Sequence, residues 1–267
     1  MKTPEELEKL SLLLDDEDED VAINVIAALL DRQHELGDLP ARLQESSNEL
    51  VRRRAHQLQA AITFRNRRQE FAALLAADEP DFFDGLILLH WLWFDRDSPV
   101  NVRKDLEKFI AENRKVPLES LENARAFMCK VGFAAELEST IHPENYCIGT
   151  ILYQRSGAAS VLMGLLKNLM REPEKFHIVR FCGEFALYDG AKQLLLGQGD
   201  WRVCRISCAD DLEYFSCRDV LNCAGNMLFS SAVNSDSFRY VLTIAQALSG
   251  TRDDRILDKC PYPYRAE

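Results

Sequence analysis

The sequence predicts an α+β protein that is predominantly helical. Three observations carry this. Apolar residues recur at helical spacing through most of the first 140 positions, period-two alternation is confined to residues 176–206, and helical spacing returns from Asp210 to Gly250. The 267 residues fit one large domain or two modest ones, and an apolar fraction of 47% supplies a packed core.

Residues 1–77 read as helix upon helix. Thr3-Pro4-Glu5-Glu6 is a helix start, with a capping Thr, Pro in the first turn and acids at the positive end of the dipole. The run from Asp15 to Asp20 precedes the apolar segment Val21 to Leu30. It reads as a cap and solvated first turn, because a cation loop needs interleaved Gly and a terminal Glu. At an offset of thirty, Leu13, Asp15 and Val21 fall on Leu43, Glu45 and Val51. The second copy, Leu43 to Ala55, resembles the HEAT repeat, which puts Asp or Asn before a Val-Arg pair and then a small residue. The resemblance implies that two repeats, unable to cover their own apolar face, dock on the remainder of the chain. Arg52, Arg53 and Arg54, with Arg65, Arg67 and Arg68, read either as an interaction face or as a solvated helix surface paired with local acids. Pro80 and its flanking acids mark a boundary, giving a helical segment 1–77 and a second part 78–267.

In that second part, Phe82, Leu86, Leu89 and Trp93 share one helical face, followed by Leu106, Phe109 and Ile110. The stretch from Gly85 to Phe94 is half a membrane span and reads as a buried helix. His90 lies within it as a structural histidine, since no second His or acid stands at ligand spacing. Phe176 to Phe181 alternates as a strand does. Phe185 to Tyr188, Asp189-Gly190 and Gln193 to Leu196 predict a hairpin, and Trp201 to Ile206 a further strand. From Asp210 onward two helices are expected, separated near Ser230-Ser231 or Asn234-Ser235-Asp236, then an irregular tail with Pro261 and Pro263.

A net charge of −11 argues against nucleic acid as a partner and against an anionic membrane surface. The first residues hold no apolar secretory core, so a cytoplasmic location is expected, with the eight cysteines reduced. Cys204 and Cys208, followed by Cys217 and Cys223, do not share zinc-ribbon spacing, and neither a metal nor a cofactor is expected.

Residues 145–157, Asn-Tyr-Cys-Ile-Gly-Thr-Ile-Leu-Tyr-Gln-Arg-Ser-Gly, resemble a motif of the bacterial transglutaminase-like family in its enterobacterial invasion-regulator branch. A long apolar helix runs on from Ser160 to Met170, and Cys182-Gly183-Glu184-Phe185 stands where the family has Pro-Gly-His-Phe. Leu221-Asn222 fits its C-terminal helical hairpin, and Glu122 to Phe127 with Val131-Gly132-Phe133 fits an upstream helix, so the likeness covers about residues 81–250. The resemblance implies a papain-related domain whose catalysis uses a Cys at a helix N-terminus, a strand His and an Asp. That arrangement lowers the thiol pKa and orients the imidazole. These roles fall on Ala159, Glu184 and Gly197, so all three are empty; the invasion-regulator branch also lacks the Cys but keeps the His.

Cys147 with His177, and then Ser160 with Glu184, are the substitute pairs the residues offer. Cys147 stands too far ahead of the expected helix start for its dipole to act, and Glu184 in a vestigial cleft would be neutralised by an Arg such as Arg155. The resemblance thus implies a non-catalytic adaptor binding a protein partner of unknown identity. Two alternatives remain open: a hydrolase or acyl transferase with a relocated Cys/His site, and a small-ligand or peptide sensor using the vestigial cleft.

Overall fold

The computed structural model describes residues 4–113, 116–136, 142–206 and 211–250. The protein is mostly helical, with one small antiparallel sheet of five strands. The chain divides into two compact units, Met1–Arg67 and Arg68–Glu267, and the division falls inside a helix, ahead of the turn near Pro80.

The first unit holds α1 (Pro4–Leu12), α2 (Glu19–Asp31), α3 (Leu39–Gln44) and the first part of α4 (Glu49–Ala76). Leu7, Leu14, Val25, Leu29, Leu39 and Leu58 are buried together as its core. The acidic run does cap α2. Asp16 Oδ1 accepts from the Asp18 amide and Asp18 Oδ1 from the Asp20 amide, both at 2.9 Å. The same ladder recurs ahead of α4, where Ser46 Oγ accepts from the Asn48 amide at 3.2 Å and Asn48 Oδ1 from the Leu50 amide at 2.9 Å. The offset of thirty is therefore a repeat of capping geometry as well as of residue type, since 16 falls on 46 and 18 on 48.

The second unit continues with α5 (Phe82–Trp93), capped by Asp81, whose side chain accepts from the Asp84 amide. Its composition is apolar all round, so it is buried on nearly every side. Then come α6 (Pro99–Asn113) and α7 (Leu121–Val131), the latter capped by Ser120 and ended by Gly132 in the left-handed conformation. Two three-residue strands, β1 (Ala134–Glu136) and β2 (Ser156–Ala158), pair in parallel across the intervening α8 (Ile148–Gln154). Neither strand is expected from the sequence. The helix α9 (Ala159–Leu169) follows β2 directly and is buried over its first two turns.

The sheet comprises β3 (Phe176–Phe181), β4 (Glu184–Asp189), β5 (Leu194–Gly197), β6 (Val203–Arg205) and β7 (Glu213–Phe215), in the order β6-β5-β4-β3-β7. The expected β4–β5 hairpin forms, with Asp189 Oδ1 accepting from the Lys192 amide at 3.1 Å. Strand β7 corrects the expectation of helix from Asp210 onward: Glu213 to Phe215 pair antiparallel with β3. Ile178, Phe185, Leu187 and Leu196 join the large core that contains α9. Val179, Ala186, Tyr188 and Leu195 make a smaller cluster on the opposite face, with Ile206 and Leu212. The chain continues through α10 (Cys217–Asn234), opened by a reciprocal Ser216–Asp219 capping box, and α11 (Phe238–Ser249). The break between them is the second of the two expected places. Pro261 and Pro263 lie outside the described residues. No described helix is long and apolar enough to cross a membrane.

Candidate functional site

Ala159 opens α9 and is fully buried, with Ala158 at the cap position and no side-chain cap. Glu184 opens β4 and is exposed. Strand alternation puts it on the face of Ala186 and Tyr188, whereas Phe185 and Leu187 face the core that holds α9. The expected meeting of Ala159 and Glu184 in one cleft is therefore corrected: the β4 side chain turned toward the α9 core beside Glu184 is the phenyl ring of Phe185. Gly197 ends β5 opposite Ala186, and its amide donates to the Arg202 carbonyl at 3.0 Å.

The substitute pairs do not assemble either. Cys147 is enclosed in the core, and burial, with Glu144 and Asp97 adding, pushes its thiol well above the ordinary range. It stands at the N-cap position of α8, a helix that the sequence spacing does not place there, but makes no side-chain cap hydrogen bond, and burial holds the thiol protonated. His177 is exposed, its ring edge-on to Tyr214 at 5.6 Å between centroids. Ser160 Oγ is buried without a hydrogen-bond partner among the described residues. Arg155 does not neutralise Glu184; its guanidinium lies over the rings of Phe109 and Phe133, at 5.4 and 5.5 Å.

The arginine face also needs correction. Arg54 is buried, and its Nη1 donates to the carbonyls of Leu14, at 2.9 Å, and Asp16. Arg52 is half-buried and donates to the Ser46 and Ser47 carbonyls at 2.7 and 2.9 Å. Only Arg53 of the three is exposed. Arg54 and Arg52 tie the turns ahead of α2 and α4 rather than offering charge to a partner. Cys204 is exposed on β6 and Cys217 opens α10, while Cys208 lies outside the described residues. Among the described residues no three His, Cys, Asp or Glu side chains gather as a metal site would need.

The arrangement with most polar chemistry is one that sequence spacing misses. His90, on the last turn of α5, is 2% exposed, and Asp97 stands 3.0 Å from its Nε2. A carboxylate only accepts, so Nε2 carries the proton and donates. Burial pulls the imidazole below its ordinary pKa of 6.5 against the opposing effect of Asp97, which keeps it neutral at pH 7 and leaves Nδ1 a bare acceptor. Nδ1 has no partner among the described residues. The ring fits because Gly149 of α8 has no side chain: a Cβ there would stand 2.7 Å from His90 Cε1. Together these groups wall a pocket of about 350 Å3 that also takes in Asn101 and Asp105 of α6, and Thr150 and Tyr153 of α8. The signal is present but not periodic: Asp97 is seven residues from His90 because the chain reverses after α5, returning through a loop to α6.

Comparison with protein-family models, with curated proteins and with solved structures returned no match.

Proposed function

We propose that this chain is a non-catalytic protein of transglutaminase-like descent that works by binding a protein partner, with a HEAT-like helical segment at its N-terminal end. One observation carries the reading. The start of α9, where a nucleophile would stand, is a fully buried alanine, and the β4 side chain next to Glu184 that is turned toward the α9 core is Phe185. Both side chains belong to one apolar core, which supports a reading without a thiolate–imidazole contact there. The order of α9 followed by antiparallel strands supports the family reading, and the repeated capping ladder supports the HEAT-like one. Leu12, Leu13 and Ile23, exposed in the first unit, support an interaction role. A cytoplasmic home belongs to the same proposal, and the free thiols of Cys129, Cys147, Cys182 and Cys204 agree with it.

The test is turnover. Full-length protein incubated with a glutamine-bearing acyl donor and a primary-amine acceptor should give no product above a protein-free control. Product formation lost on Cys147→Ser would establish the relocated Cys/His enzyme instead.

A further inference from the structure

His90 is 2% exposed and is closed in by three groups. Asp97 accepts from Nε2 at 3.0 Å, and the ring of Phe94 lies 5.1 Å away between centroids. Gly149 of α8 stands against the Nδ1–Cε1–Nε2 side, where a Cβ would be 2.7 Å from Cε1 and 3.3 Å from Nδ1. Nδ1 is sealed from solvent and has no hydrogen-bond partner among the described residues. In the neutral ring this nitrogen is only an unfilled acceptor. A second proton makes it a donor on a cation, and a buried cationic N–H without an acceptor is far costlier than an unfilled lone pair. Relief comes when His90 and Gly149 part and water reaches Nδ1.

The surrounding charges leave that conflict in place. Asp97 favours the protonated ring through Nε2, and burial opposes it and prevails. Asp105 of α6 and Tyr153 of α8 line the pocket that His90 borders. Arg103 of α6 is paired with Asp84 at 2.8 Å, and Arg239 of α11 with Asp95. Glu144, in the turn Pro143–Tyr146, and the Cys147 thiol stand just ahead of α8. Arg218 and Asp219 of α10 are held by the Ala77 and Asp78 carbonyls and by Ser216, and Lys167 stands in the last turn of α9. None of these groups hydrogen-bonds Nδ1.

We propose that His90 is an acid-sensitive latch between α5 and α8: a second ring proton puts an N–H at Nδ1 where no acceptor stands, and α8 is released from α5 while α9 and the sheet hold. In the released state the ring is solvated and its pKa returns toward the ordinary 6.5, above its depressed folded value. The released state therefore binds the proton more tightly. Release grows easier as pH falls below 6.5, by up to about tenfold per pH unit, and levels off below the folded value. Gly149 is what makes the latch specific to this seam, since it lets the backbone of α8 come down on the ring.

The experiment follows backbone hydrogen exchange of the full-length protein from neutral to mildly acid pH, with rates corrected for the intrinsic pH dependence of exchange. Protection of α8 and the last turn of α5 should fall as the His90 ring titrates, while α9 and strands β3 to β5 stay protected. His90→Gln keeps a side-chain N–H for Asp97 and cannot titrate, so its α8 protection should not respond to pH. Asp97→Asn removes the charge that favours the protonated ring, so its transition should move to lower pH. If His90→Gln does not fold, Asp97→Asn carries the test, because Asp97 is 52% exposed. Protection of α8 that ignores pH would overturn the proposal, as would loss of protection in α8, α9 and the sheet together. A transition that stays in His90→Gln, or that fails to move down in Asp97→Asn, would overturn it as well. The turnover test above involves none of these groups except through folding, so the two can fail separately.

Discussion

Arg54 takes a charge into the interior of the first unit and meets backbone carbonyls rather than a carboxylate. Arg54→Ala removes charge-assisted hydrogen bonds and leaves the Leu14 and Asp16 carbonyls without that donor, a loss of about 1.5–3 kcal/mol. Arg53→Ala, one position away and exposed, should stay within about 0.5 kcal/mol. Urea unfolding of the two variants checks the contrast. His90 makes a prediction in pH. Its folded pKa is depressed, so the unfolded chain binds more protons in the acid range. The stability it contributes is complete above its ordinary 6.5 and is lost as pH falls through the folded value. Asp97→Asn removes the group that opposes this depression, so the His90 pKa should fall further. An NMR titration that moved it upward would contradict the assignment. Cysteine reactivity depends on burial in the same way: a thiol reagent should modify Cys129, Cys182 and Cys204 in the native protein and reach Cys147 only on unfolding. Mass spectrometry of peptides from native and denatured samples distinguishes the outcomes.

At the level of elements, the β3–β4 connection is a two-residue turn, since Phe181 pairs with Glu184. Cys182 has φ 50 and Gly183 φ 85, the paired left-handed conformation that tight hairpins demand. Gly183→Ala should therefore cost about 1–2 kcal/mol in thermal or urea unfolding, although nothing stands within 4 Å of where its Cβ would go. Gly164 of α9 is the opposite case: its conformation is helical, but a Cβ would meet Phe82 Cζ at 2.2 Å, so α5 and α9 touch there through the absence of a side chain. Long periodic elements such as α5, α9 and the β4–β5 hairpin are legible in the sequence because many residues repeat one preference. Strands β1, β2 and β7 have three residues each, too few for alternation to register, and exist because a neighbour supplies their hydrogen bonds, whereas β6, equally short, lies within the strand expected over Trp201 to Ile206. Gly183 reads as a position in a family motif, and its backbone role as a hairpin turn shows only in the fold. Periodicity misses the His90–Asp97 pair for a related reason: it depends on a chain reversal, not on spacing along one helix.

At the level of the whole molecule, the two units each have a core of their own, and Phe71 of α4 belongs to the larger one. A chain beginning at residue 78 would lose that fully buried ring from the larger core. It should be less stable than one beginning at residue 68 by an amount comparable to a buried Phe→Ala change, about 3–5 kcal/mol. Circular dichroism through a thermal ramp on the two chains decides this, and equal melting would return the boundary to the turn near Pro80. The sheet of the larger unit has a bearing on how separate copies of the protein meet. Its outer strands are β6 and β7, each three residues long. One ends in exposed Arg205; the other begins with Glu213, held by Arg180 of the neighbouring strand. A foreign strand arriving at either margin would find few backbone groups to pair with and a charge to bury before the next. Among the described residues the sheet therefore ends at five strands, and its short, charged margins disfavour continuation from one molecule into the next.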